Sequence, residues 1–178
     1  MKRLFSGLLL GCITLGFAGP APAAVTAGEA APKIRLVVSK GKHEMTLYEG
    51  EQKGETFKVA LGPGGAGHKH REGDKVTPVG RYHIIAKQPS QDFRTFLRLD
   101  YPNAEDRKRF AELKKAGVLP KGATIGGDIG IHGAPRAPEW KDVHKKYDWT
   151  WGCVALDDQE IDRLAKKVPV GTVVDIED

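Results

Sequence analysis

Ile129-Gly130-Ile131-His132-Gly133 and Asp148-Trp149-Thr150-Trp151-Gly152-Cys153-Val154-Ala155-Leu156 are the two stretches on which the reading of this chain turns. The first is a short apolar strand ending in a histidine followed by a glycine. The second sets Cys153 directly after a glycine, at the mouth of another apolar run. A thiol attacks as its thiolate, and a free cysteine of pKa about 8.5 is only slightly ionised at neutral pH. An imidazole beside it can take the proton and later return it to a leaving amine. That imidazole needs an acceptor, a side chain or a backbone carbonyl, to fix its other ring nitrogen. A glycine before the nucleophile lets the backbone approach substrate and turns successive N–H groups toward a developing oxyanion, a contribution of about 3–4 kcal/mol per donor. Cys153 as nucleophile and His132 as general base are therefore the candidate pair. Their separation in sequence does not by itself establish contact, and a histidine at a strand end is often structural.

Outward from these stretches the chain reads as mainly β. Ile34 to Val38 is a run of branched residues, Met45 and Leu47 alternate with Thr46 and Tyr48, and Thr56 to Leu61 follows a hairpin-like turn over Gly50 to Gly54. Gly62-Pro63-Gly64-Gly65-Ala66-Gly67 forms a loop that continues to about Lys75. Strands are expected at Tyr82 to Ala86, Thr95 to Leu99 and Thr172 to Ile176. Asn103 is placed to cap a helix from Ala104 to Ala116 closed by Gly117, with Phe110 and Leu113 on one face. Asp157 or Asp158 starts a second helix, with Ile161, Leu164 and Ala165 facing inward and Pro169 ending it. The sum is a mainly β domain, a β-sandwich or strongly curved sheet, with one or two accessory helices.

The N-terminus sets the compartment. Lys2 and Arg3 precede an apolar run from Leu4 to Phe17, and Ala21-Pro22-Ala23 fits a signal-peptidase site, so residues 1–23 read as a secretory signal. The run falls short of the ~20 residues that span a bilayer. Leu9-Leu10-Gly11-Cys12 offers a lipobox alternative, disfavoured because the apolar run continues past Cys12. Residues 24–32, rich in Ala, Gly and Pro, read as a leader, and residues 33–178 as one catalytic domain. Without Lys2 and Arg3 the chain holds 26 basic and 23 acidic residues, a net charge of +3. That excess is too small and scattered for nucleic acid. Cys12 leaves with the signal, so Cys153 stands alone in an exported chain, where cysteines usually pair. A reactive thiol, an intermolecular bridge and an inert core cysteine all remain open on that count.

The residues resemble the L,D-transpeptidase catalytic domain of bacterial cell-wall enzymes, the YkuD-type family. That family's signature is His-Gly, a spacer, then Ser/Thr-x-Gly-Cys. Here His132-Gly133 opens it and Thr150-Trp151-Gly152-Cys153 closes it, with 17 residues between His132 and Thr150. Thr77-Pro78-Val79-Gly80 and the closing Val168-Pro169-Val170-Gly171-Thr172-Val173-Val174 add to the likeness, which covers about residues 33 to 176. The resemblance implies a YkuD-like fold and a thioester enzyme acting on peptidoglycan stem peptides. Cys153 would attack the L-centre carbonyl of diaminopimelate at stem position three, expelling D-alanine. A second stem or a lysine of a wall-anchored protein would accept the acyl group. It further implies that the Gly133 carbonyl orients His132, that the N–H groups of Trp151, Gly152 and Cys153 form the oxyanion hole, and that Thr150 supports the turn. It calls for no metal or other cofactor, and it places the protein in the periplasm or cell envelope. Two departures stand out: many members carry His where this chain has Trp151, and Arg or Asn where it has Ala155.

Rival readings follow from other residues. His68, Lys69 and His70, with His83, invite a metal site, but they sit in a glycine-rich loop without supporting ligands, and solvated loop histidines fit better. Trp149 and Trp151 suit sugar stacking or cleft-wall packing equally. The same acyl-enzyme resolved by water would be a carboxypeptidase or amidase, and a non-catalytic wall-binding module is a third class. A papain-like protease fits worst, since its cysteine precedes its histidine. The sequence leaves oligomeric state open.

Overall fold

The computed structural model describes residues 33–178. The signal segment, the leader and Cys12 lie outside the described residues. Eight strands form a single sheet: β1 (Ile34–Ser39), β2 (Glu44–Glu49), β3 (Gln52–Lys58), β4 (Gly80–Ser90), β5 (Arg94–Leu99), β6 (Gly130–His132), β7 (Val154–Ala155) and β8 (Val173–Glu177). Two helices accompany it, α1 (Ala104–Lys115) and α2 (Asp158–Lys167). The strand order is β3-β2-β1-β8-β4-β5-β6-β7. The fold is thus mainly β, one strongly curved sheet with two accessory helices.

The sheet curls until its ends meet. Just past β3, Ala60 exchanges both backbone hydrogen bonds with Ala155 of β7, at 3.1 and 2.8 Å. The stretch Thr56 to Leu61, expected as one strand, therefore serves two partners: its first part pairs with β2, and Ala60 pairs with β7. The seam of the curled sheet falls next to Cys153.

Alternation accounts for the core. Leu36 and Val38 of β1, Met45 and Leu47 of β2, Tyr82 and Ile84 of β4, Leu97 and Leu99 of β5, and Val174 and Ile176 of β8 are buried. At about 25 cal/mol per Å² of apolar area removed from water, these side chains supply the main drive for the curl. Helix α2 adds Ile161 and Leu164, both buried, with Ala165 packed at the edge of the core, as its spacing predicts. Asp157 is its N-cap, in a capping box with Glu160.

Three details differ from the sequence expectation. The hairpin turn is tight at Gly50-Glu51, and Gly54 lies inside β3. Strand β4 runs on past Ala86 to Ser90, because its polar end pairs with β5 through Arg94. Helix α1 is capped by Asn103 as expected, yet Phe110 and Leu113 are only half-buried, and the helix's one buried residue is Asp106. A polar anchor holds this helix where an apolar face was expected: the Tyr82 hydroxyl donates to Asp106 at 3.0 Å.

Candidate active site

Strand β6 lies between β5 and β7, and the two registers build the site. Antiparallel pairing sets Phe96 beside His132 and Arg98 beside Gly130. Parallel pairing sets Ile131 beside Val154 and His132 beside Ala155. Side chains alternate across a strand. Leu97, Ile131 and Val154 therefore enter the core, while Phe96, His132 and Ala155 share the other face. One step back along that face come Arg98, Gly130 and, continuing the β7 register, Cys153. His132 and Cys153 are thus diagonal neighbours on adjacent strands, on one face. They line a common cavity of about 330 Å³ whose walls include Phe93, Phe96, Arg98 and Trp149.

His132 is buried and fully oriented. Its Nδ1–H donates to the Gly133 carbonyl at 2.8 Å, which leaves Nε2 with its lone pair. Phe93 stacks on the ring at 4.2 Å between centroids, and Trp149 meets it edge-on at 5.7 Å. Gly133 must be glycine: an added Cβ would stand 2.7 Å from Asp158 Oδ1 and 2.8 Å from the Phe93 carbonyl. Burial, with a smaller repulsion from His144, pushes the His132 pKa down to about 4 against the pull of the Gly133 carbonyl. The imidazole is neutral at pH 7 and free to accept a proton.

Cys153 sits partly exposed at the end of a turn closed by Thr150. The buried Thr150 hydroxyl donates to the Cys153 carbonyl at 2.8 Å and accepts the Gly152 N–H at 3.2 Å. Gly152 has φ +121°, and an added Cβ would lie 2.7 Å from the Val76 carbonyl, so this position also demands glycine. The Gly152 N–H is already engaged by Thr150, whereas those of Trp151 and Cys153 meet no acceptor among the described residues. The thiol lies 3.5 Å from the Asp128 carbonyl. Burial pushes its pKa up to about 11, with the Gly130 N–H and Lys69 opposing. The pair therefore rests as neutral thiol and neutral imidazole. Were such a thiol to attack a bound carbonyl, proton transfer would have to accompany the attack, and the oxyanion would meet N–H groups in a site of low polarity.

The other sequence candidates fall in varied places. Trp151 is 69% exposed at the lip of the cavity, with Lys75 Nζ 5.1 Å from its ring centroid. Trp149 is a wall, as its contacts with His132 and Phe93 require. His68 accepts from Arg109 at 2.9 Å and His83 pairs with Asp100 at 3.1 Å, and among the described residues no three potential metal ligands converge. Sequence reasoning missed Phe93, Phe96, Arg98 and Asp128. The alternation within Phe96-Leu97-Arg98-Leu99 was the available signal, since a strand burying Leu97 and Leu99 must turn Phe96 and Arg98 the other way.

The model of the L,D-transpeptidase catalytic domain family, YkuD, matches residues 33–176 of the chain. The chain belongs to the YkuD family. Solved structures agree in fold. The helical cell shape determining protein Pgp2 from Campylobacter jejuni matches with 25% identity and a TM-score of 0.61, over 84% of this chain and 49% of that one. Bd1075 from Bdellovibrio bacteriovorus matches at 20% identity and TM-score 0.58, covering 83% and 48%. An L,D-transpeptidase from Mycobacterium smegmatis matches at 13% identity and TM-score 0.54, covering 83% and 59%. This YkuD chain thus spans about half the length of the first two and somewhat more of the third. A comparison with curated protein sequences gives no significant match.

Proposed function

We propose that this YkuD-family protein is an exported cell-wall L,D-transpeptidase. The observation that carries the reading is the β6–β7 register, which sets His132 and Cys153 on one face of a shared cleft, with the histidine's Nε2 left available. In this reading the Cys153 sulfur attacks the L-centre carbonyl of diaminopimelate in a stem tetrapeptide while its proton passes to His132 Nε2. The Trp151 and Cys153 N–H groups hold the oxyanion, and Thr150 keeps Gly152 in the turn that aims them. Collapse breaks the bond to D-alanine, whose amine leaves with the proton from His132, and a thioester remains on Cys153. An acceptor amine, from a second stem or a wall-anchored protein, gives its proton to His132 and displaces the thiol. The fold shared with Pgp2, a helical cell shape determining protein, fits a role in wall architecture. Export follows from a signal at residues 1–23.

The test uses purified protein lacking residues 1–23, and its Cys153→Ala variant, with disaccharide-tetrapeptide and mass spectrometry of the products. Cysteine-dependent loss of D-alanine with cross-linked dimer is the expected result. Loss of D-alanine with tripeptide alone would make water the acceptor and the protein a hydrolase. No conversion and no thioester would remove the catalytic reading for this substrate and favour a wall-binding module.

A further inference from the structure

Arg98 is the one lysine or arginine side chain lining the catalytic cleft, among the described residues. Its place is set by backbone register. Arg98 and Gly130 are register partners on β5 and β6, and Cys153, immediately before β7, continues the register on the other side of Gly130, which contributes no side chain between the two. The gap between the Arg98 and Cys153 backbones is two strand spacings, about 10 Å, and its floor is the Phe96 ring, which lies over Gly130, 2.6 Å from where a Cβ would stand. One extended amino-acid residue, about 3.5 Å long, together with the arginine side chain, bridges that gap. Phe96 lies beneath the guanidinium, 5.9 Å from ring centroid to Arg98 Cζ.

The guanidinium is already oriented by a carboxylate. Asp128 forms an ion pair with Arg98, and its own carbonyl lies beside the Cys153 thiol. Asp128 is a poor permanent partner: its side chain is 77% exposed, and such pairs contribute little in water. A ligand carboxylate entering the apolar cleft would be less solvated, and it could take both parallel N–H donors of the guanidinium.

We infer that Arg98 is the carboxylate anchor of this cleft, binding a carboxylate of the acyl donor one residue from the bond that Cys153 attacks, with Asp128 holding the guanidinium in place until that ligand displaces it. The inference rests on the transpeptidase reading for the identity of the donor. A stem tetrapeptide offers two candidate carboxylates, that of the departing D-alanine, one residue along from the attacked carbonyl, and, farther from it, that at the end of the diaminopimelate side chain. Arg98 thereby selects a free peptide terminus, or an unamidated diaminopimelate, without touching the reacting atoms.

The experiment compares three tetrapeptide donors: the free acid, the C-terminal carboxamide, and the peptide amidated on the diaminopimelate side chain. Each is assayed with the wild-type protein, Arg98→Ala, Arg98→Lys and Asp128→Asn. The wild-type protein should lose about 10- to 100-fold in kcat/KM, chiefly through KM, for the donor lacking the recognised carboxylate. Arg98→Ala should lose that much on the free acid and little more on the matching amide, and Arg98→Lys should recover part of it. Asp128→Asn should keep the discrimination. The amide that removes the Arg98 dependence identifies which carboxylate is bound. Equal losses on all three donors, or a wild-type protein indifferent to both amidations, would overturn the inference. If no donor is turned over, the transpeptidase reading falls separately. Calorimetric binding of the same peptides to Cys153→Ala, with and without Arg98→Ala, then decides the matter. Tighter binding of the free acid that depends on Arg98 sustains the anchor, and binding without that dependence, or none, overturns it.

Discussion

At the scale of single residues, His132 and Cys153 are each shifted by burial toward the uncharged form, the imidazole down to about 4 and the thiol up to about 11. The two shifts act together against a resting thiolate–imidazolium pair. Thiol modification follows the thiolate, so the rate of Cys153 alkylation by iodoacetamide should stay low at pH 7 and climb with a midpoint near 11, well above that of an ordinary thiol. Mass-spectrometric rates between pH 6 and about 11.5 would check this. A midpoint below about 7 would mean that the free enzyme already holds the ion pair. The glycines beside the pair are legible at this scale as well. Gly133 and Gly152 each stand where a Cβ would collide with a carbonyl oxygen, which is why the His-Gly and Gly-Cys dipeptides carry so much of the sequence signal.

At the scale of elements, α1 and α2 follow different rules. Helix α2 reads from its spacing, because Ile161 and Leu164 fall on one face and both are buried. Helix α1 has the right cap and the wrong expected face. Asp106 accepts the Tyr82 hydroxyl at 3.0 Å and the Asn103 N–H at 2.9 Å, so one carboxylate closes the capping box and fastens the helix to β4. Burial and that carboxylate together hold the Tyr82 phenol protonated well above its usual range. Asp106→Ala should cost about 2–3 kcal/mol and Tyr82→Phe about 1–2 kcal/mol, since each removes a hydrogen bond from a buried partner. The double variant should cost less than the sum by about 1 kcal/mol. Urea denaturation of the four proteins measures this coupling, and additive losses would show the contact to be incidental. Turnover should hold in all variants that fold, because no α1 residue lines the cleft. A sequence pattern finds apolar faces by their period, and a buried Asp–Tyr contact between distant segments has none. The same limit hid the cleft walls: the strand at Thr95 to Leu99 was legible, but what its outward residues meet depends on β6 arriving beside it.

At the scale of the whole molecule, curvature makes the site. The strands and the His-Gly and Gly-Cys motifs can be read along the chain. The closure that unites them cannot, because it rests on Ala60 and Ala155, two small residues with no distinguishing pattern, linked by backbone bonds. Asp148 fastens this seam. Its Oδ1 accepts the Leu61 N–H at 2.9 Å and its Oδ2 faces His43 Nε2 at 3.0 Å, while the Leu61 carbonyl accepts the N–H groups of both Trp149 and Thr150 at 3.0 Å. The seam therefore holds Thr150, whose hydroxyl shapes the Cys153 turn. Asp148→Ala should lower stability by about 1–3 kcal/mol, the loss expected for a charge-assisted hydrogen bond. It should also lower turnover more than this fall in folded population explains, because the freed turn misaligns its N–H groups. Hydrogen exchange should quicken at Leu61, Trp149 and Thr150 while the amides of β1 and β8 keep their protection. Exchange that quickens uniformly would instead mean that the seam opens only with global unfolding, and that closing the sheet and building the cysteine turn are one cooperative event.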